Sequence, residues 1–148
     1  MSVSEAISEI VAEEWIKLTL ASYAAEVRPS LSSEQDRFRN PVWHTIEESL
    51  TTLSRELLGS MDDRAIAPAI DALVRLRAVQ DFSPSAALRF VFELRAVIEE
   101  VCGEVAPQLN SRIDELALTA FDRYTACREQ IASLREKEMR SRVAGPAR

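Results

Sequence analysis

The sequence predicts an all-α protein, and three observations support this fold class. Only three glycines occur in 148 residues, while the strong helix formers alanine, leucine, glutamate and arginine are abundant. Apolar residues recur at steps of three and four along most of the chain, which is the period of a helix with one buried face. At two places a capping residue stands directly before a proline, Asn40-Pro41 and Ser83-Pro84, and such pairs are typical helix starts.

The first helix is predicted to begin at Ser2 or Ser4 and to stop before Pro29. The glutamates near its start suit the positive end of a helix dipole, and proline ends helical hydrogen bonding. Its apolar stripe consists of Ile7, Ile10, Val11, Trp15, Leu18, Tyr23 and Val27. The polar residues 30–39 that follow are predicted to form a loop with at most one helical turn.

The second helix has clearer end signals. Asn40 can cap its free amides while Pro41 takes the first helical position, where the missing N–H costs nothing. The helix is predicted to run to Leu58, with Gly59 in the left-handed conformation that commonly follows a helix end. Its inward face holds Val42, Ile46, Leu50, Leu53 and Leu57.

The third helix is predicted to follow Asp62 and Asp63 and to extend to Val79. Pro68 is tolerable only in its first turn or at a break between two short helices, because a proline deeper in a helix removes a hydrogen bond. The apolar residues of this helix lie on nearly all of its sides, which predicts a central position in the fold. They are Ile66, Ile70, Leu73, Val74, Leu76 and Val79.

Arg77 lies close to the apolar stripe of this third helix. Its aliphatic stem is therefore expected to be packed, and its guanidinium needs an acceptor, because an unpaired buried charge is costly. Asp81, one turn further along, is the nearest candidate.

The fourth helix is predicted to start at the cap Ser83, with Pro84 at its first position, and to end at Cys102 and Gly103. This repeats the device that starts the second helix. Its broad apolar face holds Leu88, Val91, Phe92, Leu94, Val97, Ile98 and Val101.

Pro107 starts the final segment, in which one long helix is predicted from Arg112 to about Arg140. Small and apolar residues on it alternate steps of four and three, as in a heptad seam. The candidate dimer seam consists of Ile113, Ala117, Ala120, Tyr124, Cys127, Ile131 and Leu134. Either this helix packs lengthwise on its own domain, or its C-terminal half projects and pairs with a second copy in a homodimer. Ala117 and Ala120 would weaken a free coiled coil, so a dimer would bury other helices as well.

Length and charge limit the class of protein. Residues 1–140 are assigned to a single helical domain and residues 141–148 to a disordered basic tail. No run approaches the roughly 18 consecutive apolar residues of a membrane span, and the acidic N-terminus lacks the basic flank of a signal peptide. We therefore expect a cytoplasmic protein. The net charge of −6 argues against nucleic acid as the main partner.

Residues that carry catalytic or ligand chemistry are few. His44 is the only histidine, and neither a Ser-His-Asp arrangement nor a metal-ligand spacing accompanies it. The three glycines are isolated, so no phosphate-binding loop is predicted. Cys102 and Cys127 are expected to be buried, reduced thiols. We therefore expect no cofactor, no metal and no enzymatic activity.

His44 is expected to be a half-buried structural residue, hydrogen-bonded near the turn at residues 36–40. Two other roles stay open for it. Haem ligation is one, although the iron ligand of a haem globin lies well past the middle of the chain. The other is pH sensing, because histidine side chains titrate near neutral pH.

Charged residues bracket the two proline-initiated helices. They either meet as a buried polar network that fixes how the helices dock, or they form an anion or ligand pocket. Trp43 and Phe82 would be the walls of such a pocket. The candidate residues are Asp36, Arg37, Arg39, His44, Arg77 and Asp81.

A resemblance to a known family rests on two segments. The first is residues 36–42, Asp-Arg-Phe-Arg-Asn-Pro-Val, followed by Thr45-Ile46, and the second is residues 74–85, Val-Arg-Leu-Arg-Ala-Val-Gln-Asp-Phe-Ser-Pro-Ser. With most of residues 10–105, they resemble the RsbT co-antagonist RsbRD N-terminal domain, a helical sensory module of bacterial stress-signalling proteins. The resemblance implies a globin-like bundle of about five helices, related to stressosome sensory domains that lack haem and pair as dimers.

Two hypotheses of function follow. Domains of this family usually precede a phosphorylatable STAS module or a transcription-factor output, for which 148 residues leave no room, so we expect a stand-alone domain that binds a separate partner. The first hypothesis is a non-enzymatic regulatory dimer that uses its last helix and its acidic first helix as partner surfaces. The second is a small-molecule-binding sensor with an apolar pocket near Arg77, between the third, fourth and fifth helices.

Overall fold

The computed structural model describes residues 3–26 and 41–144, and within them it consists of five α-helices, the last four of which are joined by short turns. The helices are α1 (Val3–Glu26), α2 (Pro41–Leu57), α3 (Asp63–Val79), α4 (Pro84–Cys102) and α5 (Pro107–Ala144). These residues contain no strand, so the predicted all-α class is confirmed.

The helix starts follow local side-chain chemistry. The Asp62 carboxylate accepts a hydrogen bond from the Arg64 amide at the start of α3, and the Ser83 hydroxyl accepts one from the Ala86 amide at the start of α4. Each bond satisfies an amide that has no partner inside its helix. Pro41 begins α2 as predicted, and its predicted cap Asn40 lies outside the described residues.

The turn between α2 and α3 differs from its prediction. Met61, not Gly59, is its left-handed residue, with φ at 57°. Gly59 is needed for a different reason, because a Cβ atom there would stand 2.7 Å from the Arg55 carbonyl oxygen. Arg112 of α5 donates to the carbonyls of Leu57 (2.8 Å) and Gly59 (2.9 Å), and so covers the open end of α2.

The described helices form a closed ring of neighbours around the core. Helix α1 packs against α2 and α4, α2 packs against α3, and α5 closes the ring between α3 and α4. The Trp15 indole donates to the Phe90 carbonyl at 2.7 Å and links α1 to α4 inside the core. The largest fully buried side chains are Trp15, Tyr23, Ile46, Leu50, Leu53, Leu57, Ile70, Leu73, Phe90, Leu94, Ile98 and Tyr124.

The buried line of α1 is narrower than the predicted stripe. Ile10 and Leu18 are exposed. The α1 side chains with no exposed surface are spaced by four: Val11, Trp15, Thr19 and Tyr23. Positions four apart stay on one side of a helix over a few turns, and the two flanking apolar residues fall beside this line.

Helix α3 also departs from its prediction, since it passes through Pro68 without a break. Pro68 lies in the second turn, where its ring removes the hydrogen bond to the carbonyl of Arg64. Both residues are exposed, so water can satisfy that carbonyl. The helix lies mainly between α2 and α5 and leaves Val79 exposed, so it is not the surrounded central helix that was predicted.

Helix α5 is the longest element, with 38 residues and a length of about 57 Å. It begins at Pro107, five residues before the predicted start, and continues to Ala144, four residues into the predicted disordered tail. Residues 145–148 lie outside the described residues. Every residue from 132 to 143 is exposed. We call residues 132–143 the distal segment, because they extend beyond the packed ring.

Candidate functional site

The centre of the candidate site is a buried arginine inside an aromatic cage. Arg77 is 2% exposed. Its guanidinium carbon lies 5.4 Å from the ring centres of Phe82 and Phe90 and 5.9 Å from that of Tyr23. Its Nη1 donates to the carbonyl of Ala86 at 3.2 Å. Ring faces attract a cation more strongly when water is excluded, so the cage offsets part of the cost of burying this charge.

Tyr23 connects the cage to the turn between α3 and α4. We call this turn, residues 80–83, the corner. The Tyr23 hydroxyl donates to the Gln80 side-chain oxygen at 2.5 Å, and its ring stacks on Phe82 at 5.8 Å. Burial raises the pKa of Tyr23 above 10.0, although the Gln80 hydrogen bond and the Arg77 charge act in the opposite direction. The hydroxyl therefore remains protonated and donates at neutral pH.

The same corner holds α5 at the point where the helix leaves the ring. Asp81, left-handed with φ at 59°, accepts hydrogen bonds from Arg128 (3.0 Å) and Arg135 (3.5 Å). The next carbonyl, that of Phe82, accepts a hydrogen bond from the buried Tyr124 hydroxyl. Burial raises the pKa of Tyr124 above 10.0, so this donor also keeps its proton. The corner thus joins α1, α3 and α4 to the last helix.

A half-buried carboxyl lies beside the cage. Glu93 of α4 accepts a hydrogen bond from the Ser22 hydroxyl of α1 at 3.0 Å. Burial raises the pKa of Glu93 above 4.5, against the smaller lowering effects of that hydrogen bond and of the Arg77 and Arg89 charges. The α1–α4 contact therefore contains a carboxyl whose ionised form is disfavoured by its surroundings.

The structure separates the predicted charged residues. Asp36, Arg37 and Arg39 lie outside the described residues. His44 is exposed on α2, whereas the sequence predicted a half-buried side chain. Asp81 was expected to accept from Arg77, but its carboxylate pairs with arginines of α5 instead.

The pocket walls and the cysteines can be placed as well. Trp43 and Phe82 are both buried, and Phe82 covers Arg77 as part of the cage. Both cysteines are free, as expected, but Cys102 is exposed and Cys127 only partly buried. Exposure of Cys102 follows from its place at the end of α4, where the helix leaves the core.

The candidate dimer seam divides along α5. Ile113, Ala120 and Tyr124 are buried in the core of their own domain. Ala117, Cys127 and Ile131 are partly buried against that core, and Leu134 is exposed. The first half of the seam therefore packs lengthwise on the domain, and its distal end is the part that remains accessible to another chain.

Several surface grooves accompany this arrangement. One of about 630 Å³ lies between the start of α1 and the end of α2, with polar lining that includes Ser8, Glu9 and Arg55. Another of about 340 Å³ lies between α3 and α5, near Ile70 and Arg123. Arg77 lines neither groove. Within the described residues, no three or more His, Cys, Asp or Glu side chains cluster so that they could hold a metal ion.

Sequence reasoning missed the side chains of α5 and α1 that complete the site. Arg128 and Arg135 are seven residues apart and therefore share one face of α5, which was a usable signal for a common acceptor. Tyr23 and Tyr124 were assigned to apolar stripes, and nothing local to them indicates that each hydroxyl reaches residues near position 81.

The chain is thus a helical domain whose buried polar centre is joined to an extended last helix, and this architecture is suited to a regulatory input. Residues 9–139 match the family model described as the RsbT co-antagonist protein rsbRD N-terminal domain. The match covers nearly the whole chain, so the chain belongs to this family, and the resemblance seen in the sequence is confirmed. Membership indicates a signalling or regulatory domain.

Further comparisons add one relative. The chain is 34% identical over 77 residues to an uncharacterised protein of Archaeoglobus fulgidus, a match that covers 49% of this chain and 51% of the relative. The chain therefore matches about half the length of that protein. No solved structure is significantly similar to the chain. None of the helices in residues 3–26 and 41–144 is long and apolar enough to span a membrane.

Proposed function

We propose that the chain is a non-enzymatic signalling domain that acts by protein–protein contact, as a dimer of two copies. The observation that carries the proposal is the set of hydrogen bonds between the corner and α5, which Tyr124, Arg128 and Arg135 donate. Tyr124 and Arg128 lie where the helix leaves the ring, and Arg135 lies in the distal segment. A change in the corner would therefore change how firmly the distal segment is held.

The strength of these contacts suits a regulated element. Asp81 and its two arginine partners are each about half exposed, and exposed ion pairs contribute at most about 1 kcal/mol. A two-state element must have its states within a few kcal/mol of each other if a ligand or partner is to shift them. The ion pairs of Asp81 with Arg128 and Arg135 lie in this energy range, whereas the aromatic cage is part of the buried core.

The distal segment has the surface of a helix that binds protein. Leu134, Met139 and Val143 are large, apolar and exposed. Charged residues surround them, and Arg140 pairs with Glu136 within the segment. Isolated apolar residues are normal on a surface, but Met139 and Val143 are four residues apart and share one face of the helix. Such a pair on a helix that lacks packed neighbours favours a partner chain.

The alternative function is a small-molecule sensor with a pocket near Arg77. A ligand would have to reach a guanidinium that is 2% exposed and that has Tyr23, Phe82 and Phe90 around it. Binding at this place would require the cage to open. The protein-contact proposal needs no such rearrangement, and we prefer it for that reason.

Native mass spectrometry of the freshly purified full chain, paired with its visible absorbance, tests the proposal. We expect a colourless dimer that carries no additional mass. A clean monomer at all protein concentrations would contradict the dimer. A retained small-molecule mass would favour the sensor alternative, and absorbance in the visible range would reopen haem ligation by His44.

A further inference from the structure

The groove of about 630 Å³ between the start of α1 and the end of α2 has walls of two different helices. We call it the α1–α2 groove. The Ser54 hydroxyl of α2 donates to the Ser8 carbonyl of α1 at 3.0 Å and joins the two helices where the groove lies. Small-molecule sites in proteins have volumes of about 300 to 1,000 Å³. The α1–α2 groove is therefore large enough to hold a small molecule.

The two walls carry opposite charge. On the α1 side the lining includes Glu5 and Glu9, which are one turn apart and so share a face of the helix. On the α2 side it includes Arg55, whose side chain is 63% exposed. Glu9 is exposed as well. A carboxylate and a guanidinium can therefore both reach a molecule within the groove.

These opposite charges are not paired with each other. Glu9 forms no ion pair in the part of the chain that the structure describes. Arg55 approaches Glu56 only at 3.9 Å. The Glu56 carboxylate already accepts from the Ser60 hydroxyl at 2.9 Å and from the Asp62 amide at 3.0 Å. Glu9 and Arg55 thus line one groove but are too far apart to contact each other directly.

A molecule that carries both charges side by side would fill this gap. Its ammonium group would donate to the Glu9 carboxylate, and its carboxylate would accept from the forked guanidinium of Arg55. The serine hydroxyls of the α1 wall, Ser4 and Ser8, can donate or accept beside either group. A molecule with one charge would be attracted by one wall and repelled by the other.

The groove also has an apolar part. Ala12 of α1 is 5% exposed, and Leu58, in the turn after α2, is partly buried against the core. An aliphatic side chain that covers these two residues would remove apolar surface from water. The lining therefore suits a zwitterion with a short aliphatic side chain.

The site adjoins a contact to the last helix. The lining includes Gly59 and Ser60 of the turn after α2. The Gly59 carbonyl accepts a hydrogen bond from Arg112 of α5 at 2.9 Å. A molecule bound against this turn would restrict the segment that Arg112 holds.

We infer that the α1–α2 groove binds a small zwitterion of the amino-acid class, with its ammonium at Glu9 and its carboxylate at Arg55. The inference goes beyond the proposed function, because it adds a ligand site on helices that the corner does not use to hold α5. The groove is open to water, so the dissociation constant is expected to be on the order of 1 mM. Such a ligand dissociates during purification and adds no mass to the native spectrum.

Amide NMR spectra of the full chain, recorded while L-leucine is added, test the inference. Saturable shifts are expected in residues 4–12 and 51–60, which line the groove. Leucinamide keeps the ammonium but lacks the carboxylate, and isocaproate keeps the carboxylate but lacks the ammonium. Each is expected to bind at least roughly tenfold more weakly than leucine, because each loses one charged hydrogen-bonding group.

Two variants assign each charge to its partner. Arg55→Gln is expected to weaken leucine at least roughly tenfold without weakening leucinamide, and Glu9→Gln to weaken leucine similarly without weakening isocaproate. Arg75→Gln on α3 and Glu129→Gln on α5 are matched controls, since they remove the same charges at exposed positions outside the groove. Circular dichroism verifies that each variant is folded.

The possible outcomes decide the inference separately from the proposed function. Leucine that causes no saturable shifts, or shifts that persist unchanged in both groove variants, would overturn the site and leave the dimer in place. Leucinamide or isocaproate that binds as tightly as leucine would show recognition of a single charge and overturn the zwitterion. A chain that binds leucine as expected but stays monomeric would overturn the proposed dimer alone.

Discussion

At the scale of single residues, Arg77 combines a high free-energy cost of burial with contacts to several segments of the fold. A buried guanidinium is costly unless hydrogen bonds and local charges compensate it. Arg77 has a carbonyl acceptor and three aromatic rings around it, and those rings belong to α1, the corner and α4. The same residue therefore fixes the relative positions of three segments, which an apolar side chain would do with less directional restraint.

The first prediction concerns this arginine. Arg77→Met is expected to lower the free energy of unfolding by about 2 kcal/mol, because it removes the hydrogen bond to Ala86 and the ring contacts of the cation. Urea unfolding followed by circular dichroism measures the change. Arg75→Met on the exposed side of the same helix is the control and is expected to stay within about 0.5 kcal/mol of wild type. Equal effects at the two positions would contradict the role of the cage.

The second prediction follows from the raised pKa of Glu93. A carboxyl whose pKa is higher in the folded than in the unfolded state favours folding while both states are protonated, below about pH 4.5. That contribution is lost as the pH rises through the raised folded pKa. Glu93→Gln cannot ionise, so it is expected to gain stability relative to wild type across this window.

Urea unfolding at a series of pH values checks the Glu93 prediction. The control is Glu48→Gln, which removes an exposed carboxylate from α2. A difference between wild type and Glu93→Gln that does not change with pH, or that changes in the opposite direction, would show that burial does not dominate at this carboxyl.

At the scale of elements, the corner and α5 form the pair through which a signal would pass. The inner contact, between Tyr124 and the Phe82 carbonyl, is buried, while the outer contacts from Asp81 to the arginines are exposed. The inner contact fixes where the helix leaves the ring. The outer contacts influence the segment beyond it at a small cost in stability.

The third prediction tests whether the exposed contacts of Asp81 influence the distal segment at a small cost in stability. Asp81→Asn keeps a residue type that tolerates the left-handed backbone, but it removes the negative charge that Arg128 and Arg135 share. We expect the free energy of unfolding to change by less than about 1 kcal/mol, while amide hydrogen exchange in residues 128–143 becomes faster. Asp122→Asn, at an exposed position of α5, is the control. Unchanged exchange in Asp81→Asn would remove the corner from the proposed signalling route.

At the scale of the whole molecule, two surfaces compete as the contact between copies. The distal end of the heptad seam is one, and the outer side of α4 and α5, where Phe92, Leu118 and Phe121 are exposed, is the other. The first offers Leu134 on a helix without packed neighbours, whereas the second offers three large side chains on two helices that are already held together. A preformed surface loses less conformational freedom on binding, which favours the second.

The fourth prediction is a property of the assembly. Unfolding of a dimer releases two chains, so its midpoint temperature depends on protein concentration. A tenfold increase in concentration is expected to raise the midpoint of the wild-type chain by roughly 2 °C, given the unfolding entropy of a chain of this size. Scanning calorimetry measures the shift, and Phe92→Glu is expected to abolish it. A wild-type midpoint that is independent of concentration would count against the dimer.

The sequence by itself determined the helices, because their signals are local. Pro41 begins α2 and the pair Ser83-Pro84 starts α4 where predicted, and apolar periodicity places the other three helices to within five residues. The family could also be recognised from the sequence, and its model matches residues 9–139. The predictions at Gly59 and Pro68 failed, because the sequence rule applied at each of these residues allows more than one backbone conformation.

Only the tertiary structure decided the partners of the polar groups. Asp81 is four residues from Arg77 but pairs with Arg128, 47 residues away, because the ring of helices brings α5 past the corner. It likewise decided that the first half of the heptad seam is buried in its own domain while Phe92 is exposed. Periodicity shows that a helix has an apolar face, but which neighbour covers that face depends on how all the helices pack.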